Sequence, residues 1–255
     1  MLKECIQRYL ANAKETRDPK RMGLSGAGHC GRQLAYKYHG TEGVPLSWRS
    51  KAIFSDGNYI QDQLREWLYG AITPDCFYLA DAETEVQLQT PKGRIITGHV
   101  DGIIHHRNST LDVATCKNPE HVTRLLEIKS MSSIGYRMLA KEGLERSYQT
   151  QISCYLQALG LSEAIVLCKC KDNSDLTELV YKRNDQLVIE ALERFDKVLD
   201  SPTPESVYRE VEVKDEGELH WRCTYCAFTA TCWREFKPAQ TGPNKWHLEG
   251  DYRNA

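Results

Sequence analysis

The sequence predicts an α/β fold in which a central mixed β-sheet is flanked by helices. Three observations carry this prediction. Residues 53–69 and 184–200 place apolar side chains at helical spacing. Residues 83–89 alternate in polarity, as a strand with one wet face does. The order helix, strands, helix, strand along the chain is typical of a sheet covered on both faces.

The elements follow in order along the chain. A helix over 53–69 precedes strands over 83–89, Arg94–His105 and Val122–Lys129. Helices are predicted over 132–141 and 147–159, the second ending at Gly160. A short strand over 164–168 follows, and residues 176–181 return beside it. The last helix, over 184–200, ends before two prolines in the segment 201–204.

Composition is that of an ordinary globular protein of 255 residues, with 41% hydrophobic and 27% charged residues. No apolar run approaches the roughly 20 residues that span a bilayer, and the charged N-terminus lacks a signal peptide. We therefore expect a cytoplasmic protein in a reducing compartment, without membrane contact. The net charge of −2 means that any nucleic acid would be bound by a local basic groove.

Asp101, Glu127 and Lys129 form a candidate catalytic centre. Glu127 and Lys129 share one face of a predicted strand, because strand side chains alternate. An isolated E-x-K pattern is more often a solvated strand face. Here Asp101 precedes it by 26 residues (127 − 101), which leaves room for a hairpin that brings the three side chains together. Two carboxylates and a backbone carbonyl, that of Ile128, suit Mg²⁺ or Mn²⁺.

Gln151 and Tyr155 follow immediately, four residues apart on one face of a predicted helix. Taken in order, the segments 98–102, 126–130 and 151–155 resemble the Asp, E-x-K and Q-x3-Y motifs of the RecB-like branch of the PD-(D/E)XK nuclease superfamily. The resemblance implies a restriction-endonuclease-like core and metal binding by Asp101 and Glu127. It also implies a catalytic Lys129, with Gln151 and Tyr155 near the phosphate or nucleotide.

One position departs from the family pattern. The family usually carries a histidine in a Gly-x3-His helix ahead of the sheet, and here Gly57 is followed by Gln61. A glutamine carbonyl can reach a hard cation but is a weaker ligand than imidazole for Mn²⁺. Gln61 is therefore predicted either to assist the metal or to be an ordinary glutamine of an amphipathic helix.

The spacing C-x2-C-x5-C formed by Cys223, Cys226 and Cys232 is typical of a metal site. From spacing alone the fourth ligand is either Cys30 or His220, and either zinc or an iron–sulfur cluster fits. The iron–sulfur members of the RecB-like branch carry one early cysteine, usually followed by arginine at the second position, and three late ones. These members include the CRISPR-associated adaptation exonuclease and the AddAB nuclease modules. The resemblance thus implies a [4Fe-4S] cluster on Cys30, Cys223, Cys226 and Cys232.

The predicted organisation is a single RecB-like nuclease domain over residues 1–255. Residues 1–50 and 205–236 form an iron–sulfur lobe around a nuclease core at 51–200, and residues 237–255 are a polar tail. Arg124, Arg137, Lys141 and Arg146 could line a nucleic-acid groove, and Tyr136 and Tyr148 could stack on bases.

The resemblance implies a metal-dependent exonuclease that acts on DNA, either single-stranded or at frayed ends, from 5′ to 3′. One alternative is a structure-selective endonuclease with the same centre. Another is a non-catalytic DNA-binding adaptor in a recombination or CRISPR-adaptation complex. Any helicase or integrase partner would be a separate chain. The sequence predicts no oligomeric state.

Overall fold

The computed structural model describes residues 2–13, 22–71, 77–80, 83–107, 121–211, 213–242 and 245–249. The chain divides into two compact units. We call them the sheet unit, Gly23–Gly28 with Ala52–Glu193, and the cysteine unit, Met1–Met22 with His29–Lys51 and Arg194–Ala255. Within the described ranges, no helix combines the length and the apolar character that spanning a bilayer requires.

The helices and strands lie along the chain as follows. The helices are α1 (Leu2–Asn12), α2 (Gly31–Tyr38), α3 (Trp48–Ala71), α4 (Ser133–Glu142), α5 (Arg146–Leu159), α6 (Asp185–Leu199), α7 (Trp221–Thr224) and α8 (Thr229–Cys232). The strands are β1 (Phe77–Ala80), β2 (Glu85–Gln89), β3 (Ile95–His99), β4 (Gly102–Arg107), β5 (His121–Met131), β6 (Glu163–Cys170), β7 (Leu176–Lys182), β8 (Pro238–Gly242) and β9 (Lys245–Leu248).

The sheet unit is built on a five-stranded sheet in the order β1-β4-β5-β6-β7. Strands β5 and β6 are parallel, and the other neighbours in this sheet are antiparallel. Helices α4 and α5 form the connection between β5 and β6, as a parallel pair requires. The predicted mixed sheet is therefore confirmed.

Alternation along β5 shows that helices cover both faces of this sheet. Leu126 and Ile128 point to one face, where they pack with Leu64 of α3. The intervening Glu127 and Lys129 point to the opposite face. There Lys129 Nζ lies 3.4 Å from the side-chain oxygen of Gln151, on α5. The hydrophobic pattern of β5 thus places two charged side chains beneath a helix.

The single strand predicted over Arg94–His105 is wrong, since the structure has two strands there, β3 and β4. Strand β3 pairs with β2 in a separate two-stranded sheet, whereas β4 joins the central sheet. The chain bends at Asp101, directly after the fully buried Val100. The Asp101 carboxylate accepts a hydrogen bond from the Ile128 amide at 2.7 Å. This bond fixes the bend against β5.

In the cysteine unit, α2 is tied to residues near position 205. The buried Arg32 donates to the Val207 carbonyl at 2.6 Å and to the Glu205 carbonyl at 2.8 Å. Tyr36 stacks on Phe228 with ring centroids 5.2 Å apart. These contacts hold α2, which Cys30 directly precedes, beside the segment that carries the late cysteines.

Within the predicted polar tail, residues 238–242 and 245–248 form the paired strands β8 and β9. Leu248 is buried in a cluster with Leu219, Cys223 and Trp233. The hairpin escapes a composition-based prediction because few of its side chains are apolar. Two of those, Trp246 and Leu248, face the cluster.

Candidate active site

Asp101 lies at the bend between β3 and β4, where three donors contact it. Its Oδ2 accepts from the Ile128 amide, and its Oδ1 accepts from the side-chain amide of Gln61. Arg65 donates from Nε to the Asp101 carbonyl at 3.3 Å and places a guanidinium nitrogen 3.8 Å from Oδ1. The carboxylate is therefore held in a fixed position directly before β4 of the central sheet.

Glu127 is 2% exposed on β5, and its two oxygens have different surroundings. Oε1 lies 2.6 Å from Lys129 Nζ. Oε2 is buried and has no hydrogen-bond partner among the residues that the structure describes. A buried carboxylate oxygen without a partner is costly, so the site is built to receive one further cationic or donating group.

Burial, followed by the neighbouring Glu127 carboxylate, raises the pKa of Asp101 from its ordinary value of 3.8 to about 7. The Ile128 amide, Lys129 and Arg65 act in the opposite direction. Two carboxylates that share a poorly solvated site repel each other, and a divalent cation between them would relieve that repulsion.

Lys129 is the cation of the centre. Burial lowers the pKa of its ammonium group, but Glu127 and Asp101 outweigh burial, and the pKa is raised overall. Lys129 Nζ also lies 4.8 Å from the centroid of the Tyr148 ring, a cation–π distance. The residue therefore stays charged beside Glu127.

Gln151 and Tyr155 extend the site along α5. Gln151 accepts from Lys129 at 3.4 Å, and its amide donates to the Tyr155 hydroxyl at 3.4 Å. Tyr155 is 2% exposed, and burial raises the pKa of its phenol to about 12. Its ring packs where Gly98 lacks a side chain, since a Cβ there would lie 2.7 Å from Tyr155 Cε1. The close packing of Tyr155 of α5 against β3 thus requires a glycine at position 98.

The structure brings five predicted side chains together: Asp101, Glu127, Lys129, Gln151 and Gln61. Tyr155 adjoins this group through Gln151. Gln61 contributes its amide nitrogen to Asp101, so it acts here as a donor to the carboxylate. The Ile128 amide faces Asp101, and its carbonyl lies on the same edge of β5, because both groups of a strand residue point the same way. Strand β4 begins only at Gly102, opposite Leu126.

The donor set fits a hard divalent cation. Mg²⁺ is commonly held by one or two carboxylates, with waters in the remaining positions. Asp101 and Glu127 supply two such groups, and the partnerless Glu127 Oε2 is the atom that such an ion would satisfy. Within the described residues no cluster of three or more His, Cys, Asp or Glu side chains is arranged to hold a metal ion.

Arg65 is a site residue that the sequence analysis missed. It lies on α3 one helical turn after Gln61, and both side chains reach Asp101. The i, i+4 spacing of Gln61 and Arg65 was the available signal. Three of the proposed groove cations have carboxylate partners. Arg124 pairs with Glu163 at 2.8 Å, Arg146 with Glu190 at 2.6 Å, and Lys141 with Glu142 at 3.9 Å.

The four predicted cluster cysteines all belong to the cysteine unit. Burial raises the pKa of Cys223 to about 12, with further contributions from Cys226, Cys232 and Cys30. Burial likewise raises the pKa of Cys226 and of Cys232. The four thiols therefore lie near enough to affect one another. They are not arranged as a site for a single metal ion.

Comparison with known proteins finds solved structures with a similar fold. No protein-family model matches the chain, and no curated protein matches it. The crystal structure of SSO0001 aligns with a TM-score of 0.52 at 18% identity, covering 91% of this chain and 96% of that one. At such identity the likeness concerns the fold alone.

An alkaline exonuclease (LHK-Exo) from Laribacter hongkongensis aligns more weakly, with a TM-score of 0.46 at 12% identity. Its complex with dAMP gives 0.47 at 13%. Both alignments cover 71% of this chain and 87% of the exonuclease. Similarity at this level does not identify a reaction, and the chemistry of this chain is argued from its own site.

Proposed function

We propose that this protein is a divalent-metal-dependent deoxyribonuclease of the PD-(D/E)XK class. One observation carries the proposal. Glu127 is buried, and its Oε2 has no partner among the described residues. Its carboxylate is close enough to Asp101 to raise the pKa of Asp101. Lys129 Nζ lies 2.6 Å from the other oxygen of Glu127, Oε1. Two carboxylates and one charged amine suit hydrolysis of a phosphodiester with the help of a divalent ion.

Bound Mg²⁺ or Mn²⁺ would supply Lewis acidity toward the phosphate and the means to activate water at neutral pH. Asp101 and Glu127 would hold the ion, with the Ile128 carbonyl on the same edge of β5. Asp101 is already positioned for this role, because the Ile128 amide fixes its Oδ2.

Lys129 would stabilise the negative charge that develops on the phosphate, because its raised pKa keeps the ammonium protonated. Gln151 and Tyr148 limit the directions in which the ammonium can move. Tyr155 in turn orients the Gln151 amide. The face of α5 therefore acts as a positioning surface for the lysine.

The finer proposal is an exonuclease that acts on single-stranded or frayed DNA ends from 5′ to 3′, following the family resemblance of the three motifs. A separate helicase or integrase chain would deliver such ends. The experiment is digestion of 5′- and 3′-labelled oligonucleotides with Mg²⁺ or Mn²⁺. Progressive shortening from the 5′ end is expected, whereas internal cuts indicate an endonuclease and intact DNA indicates an adaptor.

The Glu127→Ala variant is the control for this digestion. Removal of one of the two carboxylates should abolish cleavage in either metal. Metal-dependent cleavage that persists in this variant would show that the nuclease activity has another origin. Lys182→Ala, an exposed change at the end of β7, should cleave as the wild type does.

We propose in addition that Cys30, Cys223, Cys226 and Cys232 hold a [4Fe-4S] cluster. The support is the donor set: four thiols in one unit that lie near enough to affect one another. A structural zinc ion would require thiolates about 2.3 Å from one centre. A cluster distributes its thiolates over four irons, so they can lie further apart. The metal content and visible absorption of anaerobically purified protein distinguish the two.

A further inference from the structure

We infer that Arg65 binds a phosphate of the substrate. Without a metal ion its guanidinium contacts Asp101, and a metal ion bound by Asp101 would release it. The inference rests on the proposed function and adds a substrate contact to it. Arg65 belongs to none of the motifs that carry the family resemblance. It is singled out by its contacts in the structure.

The Arg65 guanidinium is surrounded by carboxylates. Besides Asp101, it pairs with Asp62 at 3.1 Å and contacts Glu83. The Arg65 side chain is 12% exposed, whereas Asp62 and Glu83 are 74% and 58% exposed. Ion pairs with such exposed partners contribute little, because water screens them. The Asp101 side chain is 16% exposed, so its contact with the guanidinium is the least screened of the three.

A metal ion would weaken that contact. The guanidinium nitrogen lies 3.8 Å from Oδ1 of Asp101, whose carboxylate would help to hold the metal ion. A divalent cation there competes for the carboxylate and repels the positive guanidinium. Released from Asp101, Arg65 keeps its α3 anchor and can turn toward the phosphate that the metal binds.

The charges of the site support this exchange. Among the four least exposed charged groups of this site, Lys129 and Arg65 balance Asp101 and Glu127, whereas Asp62 and Glu83 are exposed to water. A divalent ion would add positive charge to these four groups, which a phosphodiester can neutralise. Arginine suits this contact because its planar fork donates two parallel hydrogen bonds to a phosphate. With a net charge of −2, the chain depends on such local cations to hold DNA.

Arg65→Gln provides the test, because the two binding reactions should change in opposite directions. Mn²⁺ binding, measured by calorimetric titration without DNA, should become severalfold tighter, since a competing cation is lost. Binding of a fluorescein-labelled single-stranded oligonucleotide, measured by anisotropy with Ca²⁺ to prevent turnover, should weaken roughly tenfold or more. The salt dependence of that binding should also fall by about 0.7 in logarithmic slope, the loss of one phosphate contact.

Arg183→Gln is the matched control, because Arg183 also pairs with an exposed aspartate, Asp185, and donates to a carbonyl. It should leave both affinities unchanged. If Arg65→Gln weakens Mn²⁺ and DNA binding together and lowers the unfolding midpoint, Arg65 is a structural tie and the inference is overturned. Unchanged DNA binding in Arg65→Gln overturns it as well. If the wild type itself neither binds nor cuts DNA, the proposed function fails instead.

Discussion

At the scale of the residue, the two carboxylates of the site differ in how many of their oxygens have a hydrogen-bond or ion-pair partner. Asp101 has a donor at each oxygen, whereas Glu127 has one oxygen paired with Lys129 and one without a partner in the described structure. That asymmetry assigns different tasks to the two carboxylates. In the proposed metal site, Asp101 is already held in position, and Glu127 would have one oxygen left to contact the ion.

The raised pKa of Asp101 predicts a pH dependence for the metal-free protein. Because the folded-state pKa of about 7 lies above the ordinary 3.8, the protonated carboxyl stabilises the fold at low pH. This contribution is complete below about pH 4 and is lost as the pH rises to about 7. Urea denaturation in the presence of chelator should show the wild type losing stability relative to Asp101→Asn across this range. A stability difference that is constant with pH would contradict the raised pKa.

Gly98 makes a second residue-scale prediction. A Cβ at this position would lie 2.7 Å from Tyr155 Cε1 and 2.8 Å from Leu24 Cβ. Gly98→Ala should therefore lower the free energy of unfolding by about 1–3 kcal/mol, as overpacking of a core does. Chemical denaturation measures this loss.

Gly70→Ala is the control for that change. Gly70 lies in α3, and a Cβ there would have nothing within 4 Å. Alanine should stabilise the helix by up to about 1 kcal/mol. An equal response of the two glycines would mean that Gly98 is not required for packing against Tyr155.

At the scale of the element, α5 places Gln151 and Tyr155 on one face, where Gln151 contacts Lys129. Gln149 and Gln151 differ in what they contact, although both lie on this helix. Gln149 donates to the Leu144 carbonyl at 2.5 Å, whereas Gln151 contacts Lys129. Gln151→Ala should thus lower the rate constant of DNA cleavage, while Gln149→Ala should alter only stability. Single-turnover digestion of both variants tests this, and equal cleavage rates would remove Gln151 from the site.

Most of the sheet unit could be predicted from periodicity. Helices α3, α5 and α6 and strands β6 and β7 carry a clear repeat, and Gly160 ends α5 as predicted. The structure adds that Gly160 adopts the left-handed conformation. The break at Asp101 could not be predicted, because the residues on both sides favour strands. Only the partners differ: β3 pairs with β2, and β4 pairs with β5. Pairing is a tertiary property that a local pattern does not contain.

The candidate site was predictable where a motif exists and not elsewhere. Asp101, Glu127 and Lys129 are brought together by the pairing of β4 with β5, as the hairpin hypothesis required. Arg65 escaped notice because a charged residue on a helix is usually a solvated one. Its proposed role is inferred from contacts that form only after α3 has packed against the sheet.

At the scale of the whole molecule, the proposed cluster would constrain residues that lie far apart in the chain. Cys30 and Cys223 are separated by 193 residues (223 − 30). In the chain-entropy model, closing a loop of this length stabilises the fold by at most about 5 kcal/mol. The cluster is thus expected to be structural.

Cys226→Ser tests the structural role. The variant should lose the visible absorption of the cluster and much of its stability toward urea. Cys5→Ser, at an exposed position of α1, should keep both. A wild type that is colourless and fully folded with bound zinc would replace the iron–sulfur proposal.

The most direct test of the account is a calorimetric titration of chelator-treated wild type and Glu127→Gln with Mn²⁺. The substitution preserves the shape of the side chain but removes the charge that the buried Oε2 carries. The account predicts an Mn²⁺ site in the wild type and its loss in the folded variant, together with the loss of DNA cleavage. Equal Mn²⁺ affinity in the two proteins would contradict it.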